Sequence, residues 1–184
     1  MPGKIFRFGP TPEHRARHLF VFLHGCGATP KSMIPIAFRF QARFPSAALV
    51  VPTGFASSEI DGAAQQWFSS RGLTDDNRVA RIEAILPRVE TLVRREQTNF
   101  GVPVERTVLI GFSQGGTVAL EAVKQVPGLA GAGALRCRGP KRWLGSSSSN
   151  SVAPSGIGSR PYGSGHASRQ SPQALQVSRW ISTG

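Results

Sequence analysis

Acidic residues are scarce in this chain and run out early: the last is Glu121, and residues 122–184 contain neither Asp nor Glu. Against 10 acidic side chains stand 22 Lys and Arg, a formal net charge of +12, and the surplus is unevenly spread. Residues 1–134 are mildly basic, whereas residues 135–184 are basic with no compensating carboxylate. Cysteine is nearly absent too. Cys26 and Cys137 stand far apart without CxxC spacing, which excludes a disulfide framework and a cysteine zinc site; both thiols are expected to be reduced. No apolar run approaches the ~18 residues of a membrane span, and the N-terminal MPGKIFRFGP lacks the apolar core of a signal peptide, so the expected compartment is the cytoplasm. A chain of 184 residues has room for about one domain.

What is present has a clear order. Residues 19–23 (LFVFL), 47–51 (AALVV) and 107–112 (TVLIGF) are short apolar runs, the pattern of strands buried on both faces in a parallel sheet. Between the first two, Met33, Ile34, Ala37, Phe38 and Phe40 recur near helical spacing, with Pro35 marking the helix start. Residues 75–99 predict an amphipathic helix. Val79, Ile82, Ile85, Leu86, Val89, Leu92 and Val93 form its apolar stripe, and Arg78, Arg81, Glu83, Arg88, Glu90 and Arg95 its polar one. Asp75, Asp76 and Asn77 are expected to cap it, Pro87 to kink or split it, and Gly101 with Pro103 to stop it. A further helix is expected from about Gln114 to Val126, and a further strand near Leu129. Strands alternating with helices predict a three-layer α/β sandwich on a mostly parallel sheet. After about Leu135 the apolar pattern stops. Residues 135–184 are rich in Ser, Gly, Pro and Arg, with the run Ser146–Ser149, and are expected to be a disordered tail.

The chemistry concentrates in Gly111-Phe112-Ser113-Gln114-Gly115, a G-x-S-x-G element at the end of an apolar strand and the start of a helix. The motif needs that context, because the turn must be tight enough to expose the serine hydroxyl above the sheet edge. Ser113 is the candidate nucleophile, and Gly116 leaves room for close helix packing. An acyl-transfer nucleophile also needs oxyanion donors. The backbone N–H of Gln114 is one candidate, and the other is the backbone N–H of Cys26 in His24-Gly25-Cys26-Gly27, the turn that leaves the first strong strand.

These motifs resemble the phospholipase/carboxylesterase family of serine hydrolases, which includes acyl-protein thioesterase-like enzymes and small bacterial esterases of the α/β-hydrolase fold. The resemblance runs from about His18 to Ala134, through LHGCGATP, AALVVPTG, QQWFSSRGLTDDNR, GVPVERTVLIGFSQGGTVALEAV and LAGAGAL. It implies hydrolysis of a small-molecule carboxylic ester or thioester through an acyl-enzyme at Ser113, with no metal and no organic cofactor. It also implies that Trp67 and Phe68 lie on a loop near the site, and that His24 organises the oxyanion loop rather than serving as base.

The triad's acid and base are where the pattern fails. In this fold both follow the serine in the chain, yet the carboxylate after Ser113 is Glu121 alone and the later histidine is His166 alone, in GSGHASR. Glu121 falls on the nucleophile helix and reads as a surface charge. His166 has no acid to orient it, so acid and base stay unassigned. His14 and His18, in HRARH, lack a third ligand for a metal. The chain is therefore expected to be a catalytically impaired member holding a partial α/β-hydrolase domain over 1–134, with the C-terminal part of the fold missing, the pattern a frameshift near Ala134 would leave. The rival reading is a non-catalytic binding protein or defective gene product whose basic tail contacts anionic partners. Nucleic acid is disfavoured, because beyond Lys141, Arg142 and Trp143 the tail's charges are few and scattered.

Overall fold

The computed structural model describes residues 4–10 and 15–136. Its strands are β1 (Ile5–Phe8), β2 (His18–Leu23), β3 (Ala47–Pro52), β4 (Ala56–Ser57), β5 (Gln65–Gln66), β6 (Thr107–Phe112) and β7 (Ala132–Arg136); its α-helices are α1 (Ile34–Arg43), α2 (Asp75–Glu83), α3 (Leu86–Phe100) and α4 (Gln114–Gln125). β7 ends just past the boundary expected at Ala134, and the rest of the expected tail lies outside the described residues, as do His14, Cys137 and His166. The expected last strand begins at Ala132 instead of near Leu129, whose side chain is buried before it.

The five long strands form one sheet in the order β1-β3-β2-β6-β7. β2 pairs in parallel with β3 and with β6, β6 pairs in parallel with β7, and only β1, at the edge, runs antiparallel to β3. Alternation along β2 and β3 feeds two cores. Leu19, Val21, Leu23, Ala48 and Val50 face α3 and α4, while Phe20, Phe22, Leu49 and Val51 face Met33 and Ala37 on the α1 side. Each such large side chain contributes ~1.5–3 kcal/mol on burial, which is why these runs admit no polar residue.

The helix expected over 75–99 is two helices. α3 opens with Pro87 in its first turn, where a missing N–H costs nothing, so the proline starts a helix rather than bending one. The cap of α2 is Thr74, not the acids that follow it: its hydroxyl accepts from Asn77 N–H, and Asn77 Oδ1 accepts from Thr74 N–H. Asp75 and Asp76 occupy the first turn, where negative charge suits the helix dipole. Gly101, at φ 62°, ends α3 in the left-handed conformation. Two residues assigned to apolar stripes are largely exposed, Val79 at 53% and Phe38 at 50%; Phe38 nonetheless stands edge-on to Phe8 with ring centroids 4.9 Å apart.

β1 is held from the side. Arg7 donates from Nε and Nη2 to the two carboxylate oxygens of Glu96 at 2.7 and 2.8 Å, and Arg95 adds a third contact at 3.1 Å. Glu96 is fully buried on α3. Burial pushes its carboxyl up, but the Arg7 and Arg95 hydrogen bonds and charges outweigh that and hold it below the usual range.

Candidate active site

β6 delivers the chain to Ser113 at the top of the sheet, and α4 begins at the next residue. Ser113 has φ 50° and ψ −119°, the positive φ that side-chain-bearing residues avoid at a cost of ~1–3 kcal/mol. Among the described non-glycine residues it alone does so. The turn can be this sharp because its flanks carry no side chains. A Cβ at Gly111 would land on the backbone of Gly115 and Gly116, and one at Gly115 on the carbonyls of Leu23 and His24. The outcome is an exposed Ser113 set between buried Gly111 and Gln114.

The second motif packs against the first. A Cβ on Gly25 would lie 3.2 Å from the Phe112 ring and 3.5 Å from Ser113 Cβ, so the turn leaving β2 stands beside the serine. Gly27 N–H donates to Gln65 O at 3.1 Å, and Gln65 N–H donates back to Ala28 O at 2.9 Å, tying the turn to the β4–β5 hairpin. Ala28 N–H closes the turn on Gly25 O. Among the described residues the Cys26 and Gln114 N–H groups have no backbone acceptor.

His24 is buried under this loop. Gly54 N–H donates to its Nε2 at 3.0 Å, which makes Nε2 the acceptor and puts the ring proton on Nδ1, from where it donates to Gly25 O at 2.8 Å. Burial pushes its pKa down, against a smaller upward pull from the Gly25 bond. With both ring nitrogens engaged, His24 ties Gly25 to Gly54.

One functional contact is invisible to motif reading. The Gln114 side chain accepts from Trp67 N–H at 2.8 Å and donates to Phe68 O at 2.9 Å, and Trp67 Nε1–H donates to His24 O at 2.8 Å. The residue after the serine thus braces the Trp67–Phe68 loop against both motifs; polarity and the position next to Ser113 were its only sequence signals. Farther along that loop, Ser69 Oγ and Arg71 N–H donate at 2.6 and 3.0 Å to exposed Glu59, in the β4–β5 connection; the Ser69 bond is the largest cause holding its carboxyl below the usual range. Cys26 Sγ lies 3.6 Å from Gln66 Oε1 and 3.8 Å from Ser70 Oγ as a free thiol.

Glu121 accepts from Gln125 Nε2 at 2.7 Å and lies 3.7 Å from Lys124 Nζ on α4, an along-helix arrangement remote from a triad acid's position on a later loop. His18 lies between aromatic neighbours, 6.2 Å from the Phe20 ring and 6.0 Å from that of Phe44. Among the described residues no cluster of His, Cys, Asp or Glu could hold a metal, and no helix is long and apolar enough to cross a membrane.

A mostly parallel sheet with helices on both faces, and a strained serine between β6 and the following helix α4, define the α/β-hydrolase class. Within it, this chain belongs to the phospholipase/carboxylesterase family, whose profile matches residues 10–167 and so extends past the Ala134 limit of the resemblance. It is 44% identical over 120 residues to the esterase YpfH of Escherichia coli K12, covering 65% of this chain and 51% of that protein. It is 30% identical over 129 residues to acyl-protein thioesterase 1 of Cryptococcus neoformans, covering 65% of this chain and 53% of that one. The chain thus spans about half the length of these curated relatives. Among solved structures, esterase PE8 superposes with a TM-score of 0.60 at 25% identity over 68% of this chain and 58% of its own. The Bacillus cereus carboxylesterase shares the fold at TM-score 0.58 and 15% identity, over 76% and 62% of the two chains.

Proposed function

We propose that this chain carries the acyl-transfer half of a carboxylic ester or thioester hydrolase, with Ser113 as nucleophile and turnover well below that of a complete triad. The carrying observation is the strained, exposed Ser113 near two amides, Cys26 N–H and Gln114 N–H, that have no backbone acceptor among the described residues. Ser113 Oγ attacks the substrate carbonyl carbon as its proton passes to solvent water, which later returns a proton to the leaving group, and the oxygen that gains negative charge accepts from those two amides. Collapse expels the alcohol or thiol and leaves an acyl-serine, which water then hydrolyses. Neither carbonyl polarisation nor leaving-group departure calls for a cofactor in this scheme.

The low rate follows from the lack, among the described residues, of a base for Ser113. His24 is engaged at both ring nitrogens and Glu121 is held along α4, so neither takes the Ser113 proton. Loss of the base in a serine protease lowers kcat by as much as ~10⁶, leaving the contribution of the oxyanion donors and binding. Turnover of p-nitrophenyl butyrate and of a short-chain acyl thioester, measured for the full chain and for Ser113→Ala, tests this: slow hydrolysis lost on substitution supports it, and hydrolysis unchanged by the substitution rejects it.

A further inference from the structure

A second concavity lies away from Ser113. A groove of about 610 Å³ runs between the Thr53–Ser57 segment and the Arg88–Arg95 stretch of α3, closed at one end by the start of β1. Among the described residues its charge is of one sign, since Lys4, Arg88 and Arg95 line it and no Asp or Glu does. Arg95 is partly neutralised by Glu96, but among the described residues Lys4 and Arg88 have no carboxylate partner. Lys4 Nζ lies 5.2 Å from the Phe6 ring centroid, and the Arg88 guanidinium stacks over the Phe55 ring at 4.1 Å. Stacking fixes a guanidinium plane while leaving its N–H edge free to bind an anion. The rest of the wall is mixed, with apolar surface from Ile5, Pro52, Phe55 and Leu92 and polar side chains from Thr53, Ser57, Gln65 and Thr91.

We infer that this groove binds a small phosphomonoester bearing a short apolar group, its phosphate between Lys4 and Arg88 and its apolar part against Phe55 and Leu92. Two cations without a carboxylate partner among the described residues match a dianion better than a monoanionic carboxylate, and a planar guanidinium suits phosphate oxygens. The groove is joined to the Ser113 side. Gly54, in its wall, donates its N–H to His24 Nε2, and the Phe55 ring stands edge-on to Trp67 at 5.2 Å. Occupancy is therefore felt at the Gly54 amide whether or not Ser113 is catalytically active.

The test is titration of the full chain at pH 8, where a phosphomonoester is dianionic, with hexyl phosphate, hexanoate and inorganic phosphate. Calorimetry reads affinity and the amide resonance of Gly54 reads location. The expected result is hexyl phosphate binding with a Gly54 shift, weakened at least about tenfold in Lys4→Gln/Arg88→Gln and unchanged in Arg39→Gln/Arg43→Gln on α1. Thermal unfolding of both variants establishes that each is folded. Arg88→Lys should retain part of the affinity, since it keeps the charge and loses the fork. Absence of binding, equal weakening by the α1 pair, or no movement of Gly54 overturns the site. Hexanoate binding as tightly as hexyl phosphate overturns the phosphomonoester assignment, and inorganic phosphate binding as tightly overturns the apolar half.

Discussion

Replacing Gln114 by alanine should leave the Ser113 backbone turn intact while removing the brace that holds the Trp67–Phe68 loop over it. Two hydrogen bonds go at once, those to Trp67 N–H and Phe68 O, both buried. A methyl group offers neither partner a replacement, and the loop is too tightly packed, with Trp67 1% exposed, to admit water freely. Each buried backbone group left unsatisfied costs ~1–3 kcal/mol, so the substitution should destabilise the domain by about 2–4 kcal/mol after partial relaxation. That is a large share of a total stability of ~5–15 kcal/mol. Urea denaturation followed by circular dichroism measures the loss. Gln114→Glu sharpens the test. Ionised, the new carboxylate still accepts from Trp67 N–H but faces the Phe68 carbonyl oxygen; protonated, it donates to that oxygen as glutamine does. Its folded pKa is therefore raised above an unfolded value near ~4.3. Its deficit relative to the parent should be full above the folded pKa and shrink as pH falls through that pKa. A Gln114→Ala variant within ~0.5 kcal/mol of the parent, the usual range of a surface change, would refute the brace.

Glu96→Gln should cost about 1–2 kcal/mol by urea unfolding, less than the ~3–5 for breaking a buried pair because Arg7 and Arg95 are half in solvent. Since the Glu96 pKa is lowered by folding, that deficit should be present above about pH 4.3 and disappear as pH falls through the folded value. His24, with a pKa lowered by burial, should stay neutral in the folded chain below pH 6.5. Nitrogen NMR should show its proton on Nδ1, and stability in the parent should fall as pH drops from ~6.5 toward the folded pKa, a slope absent in His24→Asn. A protonated Nε2 at neutral pH would contradict the tie from Gly25 to Gly54.

The central sheet was legible because parallel strands buried on both faces leave unbroken apolar runs, as at Leu19–Leu23 and Thr107–Phe112. β1 was not, because Ile5–Phe8 is short and contains Arg7, whose charge is compensated by Glu96 far along the chain on α3. Periodicity assigned Val79 to the core, yet α2 is a short helix held chiefly by its ends: Thr74 and Asn77 cap one, and Arg81 reaches the carbonyls of Ser69 and Arg71. At the candidate site, the serine turn and the His24–Gly27 turn were readable since glycine spacing records where backbones must approach closely. The Gln114 brace was not, for its partners Trp67 and Phe68 are distant in sequence and meet it only after the sheet forms.

The most direct test of the account is covalent labelling of the full chain by a fluorophosphonate, with the modified residue located by mass spectrometry and the rate followed from pH 6 to pH 10. The proposed strained nucleophile, with two oxyanion amides and no base among the described residues, predicts modification at Ser113, abolished in Ser113→Ala, at a low rate that climbs with hydroxide across the range and shows no plateau near neutrality. Modification at another residue would contradict the assignment of the nucleophile. Fast labelling at Ser113 with a plateau near pH 7 would contradict the missing base and point to His166 as the group to substitute next.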